Sequence, residues 1–191
     1  AMWPLQIASK CSKILSLQNT IHWIKSIAVS SENTIGHFKP VNSPRYLNNC
    51  HEYIFHFTKS GRIKLDKLSI GVEYKDKTNQ TRWRSNNKLR DRGNCWFIPY
   101  DTITKSRPHP CIFPTKLPEM CIRLHGLSNT DIVLDPFMGV ASTALASVKL
   151  GVNFIGFEID SNYVNIGNRR IRAAVEKLSK IKTVGEGKEV V

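Results

Sequence analysis

The alternation of apolar and polar positions predicts a repeated strand–helix unit in the second half of the chain. Two short apolar runs have the length of buried strands, and each is followed by a segment in which apolar residues recur at helical spacing. In chain order these elements are a strand at residues 130–134, a helix at 142–150, a strand at 153–157 and a helix at 163–180. Strands that alternate with helices in this way form an α/β fold with a parallel sheet.

The rest of the chain is predicted to be less regular. Its expected elements are a helix at residues 5–15, a strand at 18–27, a loop at 30–49, a strand at 53–58, an irregular region with short elements at 59–94, and a helix at 114–127. Apolar spacing in the first helix predicts a buried face made of Ile7, Cys11, Ile14 and Leu15. A chain of 191 residues has the size of a single domain and is long enough to bury a core.

Two acidic residues mark the ends of the two strands in the repeated unit. The first strand stops at Asp135 and is followed by a tight turn that contains Gly139, after which Ser142 and Thr143 open the next helix. The second strand runs into Glu158, about twenty residues further on. An acid at the tip of the second strand is where a doubly wound fold binds ribose hydroxyls, so the pattern predicts a nucleoside site.

The composition of the turn favours a cationic nucleoside over a dinucleotide. A dinucleotide site uses G-x-G-x-x-G because bare backbone must approach a pyrophosphate. This turn has a single glycine, and an acid precedes it. An acid repels phosphate but attracts the sulfonium and ammonium groups of S-adenosylmethionine, so that cofactor is expected rather than NAD.

These motifs resemble those of the amino-methylating DNA methyltransferases, which act on N6 of adenine or N4 of cytosine, in their circularly permuted "beta" arrangement. The sequence D-P-F-M-G at residues 135–139 resembles the first motif of the family, and F-E-I-D at 157–160 resembles the second. Further similar segments are the one that precedes the first motif (109–119), the end of the target-recognition region (93–100) and two late strands (19–25 and 51–57). The resemblance spans roughly residues 15–172, but the family usually has glycine where Ala141 stands.

The resemblance implies a Rossmann-like S-adenosylmethionine-dependent methyltransferase fold that is incomplete at its N-terminus and carries an inserted target-recognition region. It implies cofactor contacts from Thr115, Lys116, Asp135, Phe137, Met138, Gly139, Ser142, Thr143, Glu158 and Ile159. Several of these residues have alternative roles. Asp135 binds the methionine ammonium or caps a helix, Lys116 binds the cofactor carboxylate or is a surface charge, and Phe137, Met138 and Ile159 contact the cofactor or pack in the core.

The residues that bind the target amino group in this family are absent. The family uses Asp, Ser or Asn followed by Pro-Pro and an aromatic residue, because an amine conjugated to a ring is a poor nucleophile and its protons must be accepted by oxygens while the flipped base stacks. No Pro-Pro pair occurs in the sequence. In the permuted order this tetrapeptide would precede residue 1. The chain therefore resembles the C-terminal part of a methyltransferase, no catalytic residue is assigned, and no turnover by the isolated chain is expected.

The missing part of the fold also predicts a partner. In the family the absent strands lie in the middle of the sheet, and without them two inner strand edges would be left unpaired. Unpaired buried backbone is costly and open edges recruit other chains. We therefore expect that the chain rearranges, forms a homodimer with another copy of itself, or binds a companion polypeptide that supplies the missing strands.

The charge of the chain indicates a nucleic-acid partner. The formal net charge is +13, and residues 59–92 are rich in Lys and Arg. Arg and Asn suit base edges, and Lys and Arg suit phosphates, so double-stranded DNA is the expected partner. The candidate DNA-binding residues are Arg82, Trp83, Arg84, Asn86, Lys88, Arg90 and Arg92. The alternative is a solvated basic loop without base contacts.

The remaining features limit the class of protein. The five cysteines have no paired metal spacing, so we expect reduced thiols in a cytoplasmic protein and no metal site. No apolar run is long enough for a membrane span. The expected organisation is late catalytic strands (1–58), recognition region (59–95), cofactor-binding part (96–180) and flexible tail (181–191). Two alternatives stay open: a non-catalytic DNA-binding or assembly subunit of a split enzyme, and a methyltransferase that acts on RNA or a small molecule.

Overall fold

A computed structural model describes residues 2–28, 34–36, 44–75, 88–99 and 112–186. The chain divides into two compact units, Ala1–Tyr100 and Asp101–Val191. None of the helices in the described part of the chain combines the length and the apolar character needed to cross a bilayer.

The first unit is built around a three-stranded sheet. Its elements are helix α1 (Trp3–Cys11), strands β1 (Ser16–Ile24), β2 (Ile27–Ala28), β3 (Thr34–Ile35), β4 (His51–Thr58), β5 (Val72–Glu73), β6 (Leu89–Arg90) and β7 (Cys95–Phe97), and a 3₁₀ helix at Lys67–Ile70. The strand order is β4-β1-β7, in which β1 is antiparallel to β4 and parallel to β7. The strands predicted at residues 18–27 and 53–58 are thus confirmed, with shifted ends.

The core of the first unit contains two tryptophans that pair across β1 and β7. Trp23 and Trp96 are register partners and both are buried. The indole of Trp23 donates to the carbonyl of Ile98 at 2.7 Å, and that of Trp96 donates to the carbonyl of Gly93 at 3.0 Å. Because each buried indole N–H has an acceptor, the two large rings fill the core without an unsatisfied donor.

The predicted buried face of the first helix is wrong. The helix ends at Cys11, so Ile14 lies in the turn beyond it and is 85% exposed. Ile7 is also exposed, and Ala8 is the buried position of the helix, which packs against β4. The small Ala8 side chain allows close approach to the strand, which apolar spacing alone does not reveal.

The segments predicted as irregular contain short paired strands. Within the predicted loop, β3 pairs with β2 in antiparallel fashion. Within the predicted recognition region, β5 pairs with β6, so that Val72 is the register partner of Arg90. The expectation of short elements in that region is confirmed for its described residues.

The second unit has the predicted βαβα order. Its elements are α2 (Lys116–His125), a 3₁₀ turn at Leu127–Asn129, β8 (Ile132–Asp135), α3 (Ser142–Leu150), β9 (Asn153–Gly156) and α4 (Ser161–Glu186). Helix α3 has the predicted bounds, whereas α2 is two residues shorter at each end than the predicted helix at 114–127 and is followed by Gly126, whose φ is 100°. Helix α4 continues past the predicted end at Lys180.

Strands β8 and β9 form a parallel pair, and within the described residues of the second unit a helix covers one of its faces. Helix α3 packs against both strands. The other face exposes large apolar side chains, among which Leu134 is 60% exposed and Phe157 is 59% exposed, together with Ile132 and Ile155. Within the described ranges no further strand joins this pair, so each strand keeps one open edge. Parallel sheets normally bury both faces, so the exposed apolar side chains of this pair are unusual for a parallel sheet.

Candidate functional site

The candidate site lies at the carboxyl ends of β8 and β9. Asp135, the last residue of β8, is the register partner of Gly156, the last residue of β9. Beyond the strands, Phe157 donates its N–H to the carbonyl of Asp135 at 2.9 Å, and Met138 donates its N–H to the carbonyl of Phe157 at 2.8 Å. These bonds fix the turn that follows β8 against the segment that follows β9, so the two predicted motifs are brought together.

Glu158 connects the two motifs through its carboxylate. Its Oε2 accepts from the N–H of Gly139 at 2.8 Å, and its Oε1 accepts from the N–H of Asp160 at 2.9 Å. The N–H of Asp160 lowers the pKa of Glu158 most; those of Gly139 and Ile159 add to this, while burial and the charge of Asp160 oppose it. The carboxylate is therefore ionised at neutral pH, and each oxygen keeps a lone pair for a hydroxyl donor.

Asp135 shapes the turn rather than the start of a helix. Its Oδ1 accepts from the N–H of Phe137 at 3.0 Å. The residue at the N-cap of α3 is Ala141, which makes no side-chain cap. The alternative role of Asp135 as a helix cap is therefore wrong, and its carboxylate lies at the strand tip in an Asx-type turn.

Ala141 has an unusual backbone conformation for its residue type. Its φ is 71°, in the left-handed region, and it is fully buried. Its N–H donates to the carbonyl of Met138 at 2.9 Å, which closes the turn before α3. Left-handed backbone costs a non-glycine residue about 1 kcal/mol, so the turn retains the geometry of a glycine turn at an energetic cost.

The three apolar candidates have different environments. A side chain at Gly156 or Gly167 would meet Met138, so the half-buried Met138 side chain packs between β9 and α4. Phe137 is 88% exposed and Ile159 is fully exposed. The core alternative is therefore wrong for Phe137 and Ile159, which protrude from the two turns.

Residues at the starts of α2 and α3 are also connected. The Ser142 hydroxyl is buried and donates to the carbonyl of Phe113 at 3.0 Å, which ties the segment before α2 to the first turn of α3. Thr115, at the N-cap of α2, makes no side-chain cap. The carbonyl of Thr143 accepts from the hydroxyl of Ser147 at 3.1 Å. The hydroxyl of Ser142 therefore already donates a hydrogen bond within the protein.

A buried carboxylate near Lys116 was not identified from the sequence. Glu119 is 3% exposed and contacts Lys116 at 3.4 Å, Arg123 at 3.1 Å and Lys149 at 2.7 Å. Burial raises its pKa, but the bond from Lys149, the charge of Lys116 and the bond from Arg123 outweigh burial and lower the pKa overall. The spacing of Lys116, Glu119 and Arg123 is a helical signal. Lys149 lies on α3, a different helix from Glu119, so no local sequence pattern indicates their contact.

The candidate DNA-binding residues are described only in part. Lys88 and Arg90 are exposed, and Arg90 belongs to β6. Arg92 is half-buried and donates from Nε to the carbonyl of Ile70 at 2.8 Å, so it supports the local fold. The other candidates lie outside the described residues: Arg82, Trp83, Arg84 and Asn86. Across the described ranges, no cluster of three or more His, Cys, Asp or Glu residues has an arrangement that would hold a metal ion.

Comparison with known proteins identifies the family. The family model of the DNA methylases of the N6 and N4 type matches residues 5–169. Type II methyltransferase M.BglI of Bacillus subtilis is 32% identical over 120 residues, which cover 63% of this chain and 30% of the relative. Type II methyltransferase M.BglII of Bacillus subtilis is 26% identical over 201 aligned positions, which cover 86% of this chain and 54% of the relative. The chain thus spans about half or less of these relatives.

The structural comparison agrees with the sequence comparison. The crystal structure of the M1.HpyAVI–SAM complex matches with a TM-score of 0.53 and 24% identity, and it covers 88% of this chain and 69% of the other. This similarity confirms the Rossmann-like methyltransferase fold predicted from the motifs. The chain belongs to the DNA methylase family of N6-adenine and N4-cytosine methyltransferases.

Proposed function

We propose that this chain is the cofactor- and DNA-binding part of an S-adenosylmethionine-dependent DNA methyltransferase of the restriction–modification type, specific for N6 of adenine or N4 of cytosine. The observation that carries the proposal is the ionised Glu158 carboxylate, which lies between the turns after β8 and β9 and bonds to both. The names of the relatives, and the S-adenosylmethionine in the complex of one structural neighbour, support the same cofactor.

The donor set of the site fits this cofactor. Glu158 would accept the ribose hydroxyls and Asp135 would accept the methionine ammonium, since both are acids at the strand tips. Phe137 and Ile159 have the exposed apolar surfaces that an adenine ring needs. Thr115 and Lys116 would bind the carboxylate, and the backbone at Gly139 with the start of α3 at Ser142 and Thr143 would complete the site. When bound, the cofactor supplies an electrophilic methyl group.

We further propose that the isolated chain does not turn over. The Pro-Pro-aromatic tetrapeptide that accepts the target amine's protons is absent from the sequence. A homodimer partner or a companion polypeptide supplies the missing strands. Among the described residues, the exposed apolar side chains of Ile132, Leu134, Ile155 and Phe157 and the unpaired edges of β8 and β9 support such a partner.

The basic surface supports DNA as the macromolecular substrate. The formal charge of +13 provides attraction to phosphate that does not depend on sequence. Lys88 and Arg90 are exposed and accessible to a phosphate backbone. We place the protein in the cytoplasm, together with its DNA.

Calorimetric titration of S-adenosylmethionine into the full chain tests the cofactor proposal. The wild-type chain should bind, and Glu158→Ala should weaken binding by about tenfold or more because the ribose hydroxyls lose their acceptor. Glu176→Ala, an exposed glutamate on α4, is the matched control and should bind as wild type. Absence of binding to the wild-type chain, or equal affinity of the Glu158 variant, contradicts the proposal.

A second candidate function is a non-catalytic subunit of a split methyltransferase, which the missing tetrapeptide favours. The two candidate functions are distinguished by mixing the chain with a polypeptide that bears the Pro-Pro motif and measuring methyl transfer to DNA. Methyl transfer to DNA that appears only in the mixture supports a split enzyme, whereas DNA binding without methyl transfer supports an assembly role. A steep salt dependence of duplex-DNA binding counts against an RNA or small-molecule methyltransferase.

A further inference from the structure

Arg170 of α4 contacts the backbone of the turn that precedes α3. Its Nη1 donates to the carbonyl of Val140, and this bond joins positions thirty residues apart in sequence. The guanidinium is half-buried, and Val140 is buried. Burial lowers the pKa of Arg170, but a guanidinium keeps its positive charge in proteins. A charged side chain is thus directed at one carbonyl of the turn.

The Val140 carbonyl needs a donor from outside α3. The first helical bond of α3 runs from the N–H of Leu145 to the carbonyl of Ala141, so that helix does not use Val140 in this way. Within the described residues, Arg170 is the only donor to Val140. Buried carbonyls are nearly always paired, so removal of Arg170 would leave this one unsatisfied.

The same turn is held from a second direction. Glu158 accepts the N–H of Gly139, whereas Arg170 donates to the carbonyl of Val140, the next residue. Ala141 follows in the left-handed conformation that its side chain disfavours. These bonds to the two residues directly before the strained Ala141 help to maintain a conformation that the local sequence does not prefer.

We propose that Arg170 is a positioning residue for the cofactor turn: through the Val140 carbonyl it holds the backbone between Gly139 and Ala141 in the shape that receives S-adenosylmethionine. The inference rests on the proposed function, because it takes this turn to be a cofactor contact. Arg170 itself does not contact the cofactor. Its effect on binding is transmitted by the backbone that it fixes.

The chain provides matched controls on the same helix. Arg169 and Arg172 are exposed and have the same side chain and charge as Arg170. A substitution at Arg169 removes the same charge from the same helix, but it leaves the bond to Val140 intact. A difference between the two variants is therefore due to the half-buried position of Arg170 and its bond rather than to the lost charge.

The experiment compares Arg170→Met and Arg169→Met in the full chain by calorimetric titration with S-adenosylmethionine and by amide NMR. Arg170→Met should raise the dissociation constant about tenfold and shift the amide resonances of Gly139 and Ala141, while Arg169→Met changes neither. If Arg170→Met does not fold, Arg170→Gln, which is too short to reach Val140, is measured instead with the same expectation. Wild-type affinity in the Arg170 variant overturns the inference, and so do unchanged Gly139 and Ala141 resonances. A wild-type chain that does not bind overturns the proposed function instead.

Discussion

Gly139 and Glu158 are joined by a hydrogen bond of 2.8 Å from the glycine N–H to Oε2 of the carboxylate. The two residues belong to different strand–turn segments, so this bond fixes the relative position of the two motifs before any ligand arrives. A site assembled in advance loses less conformational entropy on binding. Glu158 thus has two roles, as a structural acceptor for the turn and as the expected acceptor for ribose.

Cofactor binding should be insensitive to pH across the neutral range and weaken only in acid. The pKa of Glu158 lies below its ordinary value of 4.5, so its carboxylate stays charged above that pH. Affinity for S-adenosylmethionine should be constant from about pH 7.5 to pH 5.5 and fall as the pH drops below about 4.5. Calorimetric titrations across this range measure it. A loss of affinity centred near pH 6 would show that a group other than Glu158 determines the pH dependence of binding.

Ala141 and Gly167 should be energetically coupled. A Cβ at position 167 would lie 3.2 Å from the Cβ of Ala141, which is tighter than an ordinary contact, so Ala141 would have to shift slightly. Ala141→Gly removes about 1 kcal/mol of left-handed strain but also a buried methyl group, so alone it should be nearly neutral. Gly167→Ala improves helix propensity by about 1 kcal/mol, but alone it should not stabilise the protein, because the new Cβ is crowded by the Ala141 side chain.

The double variant Ala141→Gly/Gly167→Ala should be more stable than wild type by about 1–2 kcal/mol, since it removes the strain, improves the helix and refills the vacated space. Urea unfolding of the four proteins gives the double-mutant cycle. Effects that add to within about 0.5 kcal/mol would show that the two positions do not share this space.

Glu119→Gln should destabilise the second unit. The change leaves Lys116, Arg123 and Lys149 grouped without their shared carboxylate, which should cost about 3 kcal/mol at pH 7. Chemical unfolding measures it, with Glu176→Gln on the exposed side of α4 as the control, for which a change within about 0.5 kcal/mol is expected.

The effect of Glu119→Gln should also depend on pH in a defined direction. Because the pKa of Glu119 is lowered by folding, its stabilisation is fully present above the ordinary value of 4.5 and is lost as the pH falls through the folded-state value below it. The difference between wild type and variant should therefore shrink in acid. A difference that grows between pH 7 and pH 4 would contradict the assigned ion cluster.

Arg90 and Arg92 should differ in their effects although both lie in the predicted recognition region. Arg90 is exposed, so Arg90→Ala should reduce the slope of log affinity for duplex DNA against log salt by about 1 without changing stability. Arg92→Ala should lower stability by about 1 kcal/mol because the bond to Ile70 is lost. Fluorescence anisotropy measures DNA binding and thermal unfolding measures stability. If the two variants changed both quantities equally, the proposed difference between Arg90 and Arg92 would be wrong.

The sequence predicted the elements of the second unit because their signals are local. Apolar runs predicted β8 and β9, helical spacing predicted α3 with its observed bounds, and the acids at the strand ends marked the candidate site. The bond from Arg170 to Val140 has no such signal, since thirty residues separate its partners. The buried face of α1 was wrong for a related reason: its contact with β4 at Ala8 depends on tertiary packing rather than on apolar spacing.

The central claim is tested most directly by a crystal structure of the chain with bound S-adenosylmethionine. We predict that the ribose hydroxyls lie within hydrogen-bond distance of the Glu158 carboxylate and that the adenine contacts Phe137 and Ile159. A cofactor bound elsewhere on the chain, or a phosphate-containing ligand at the ends of β8 and β9, would contradict the account.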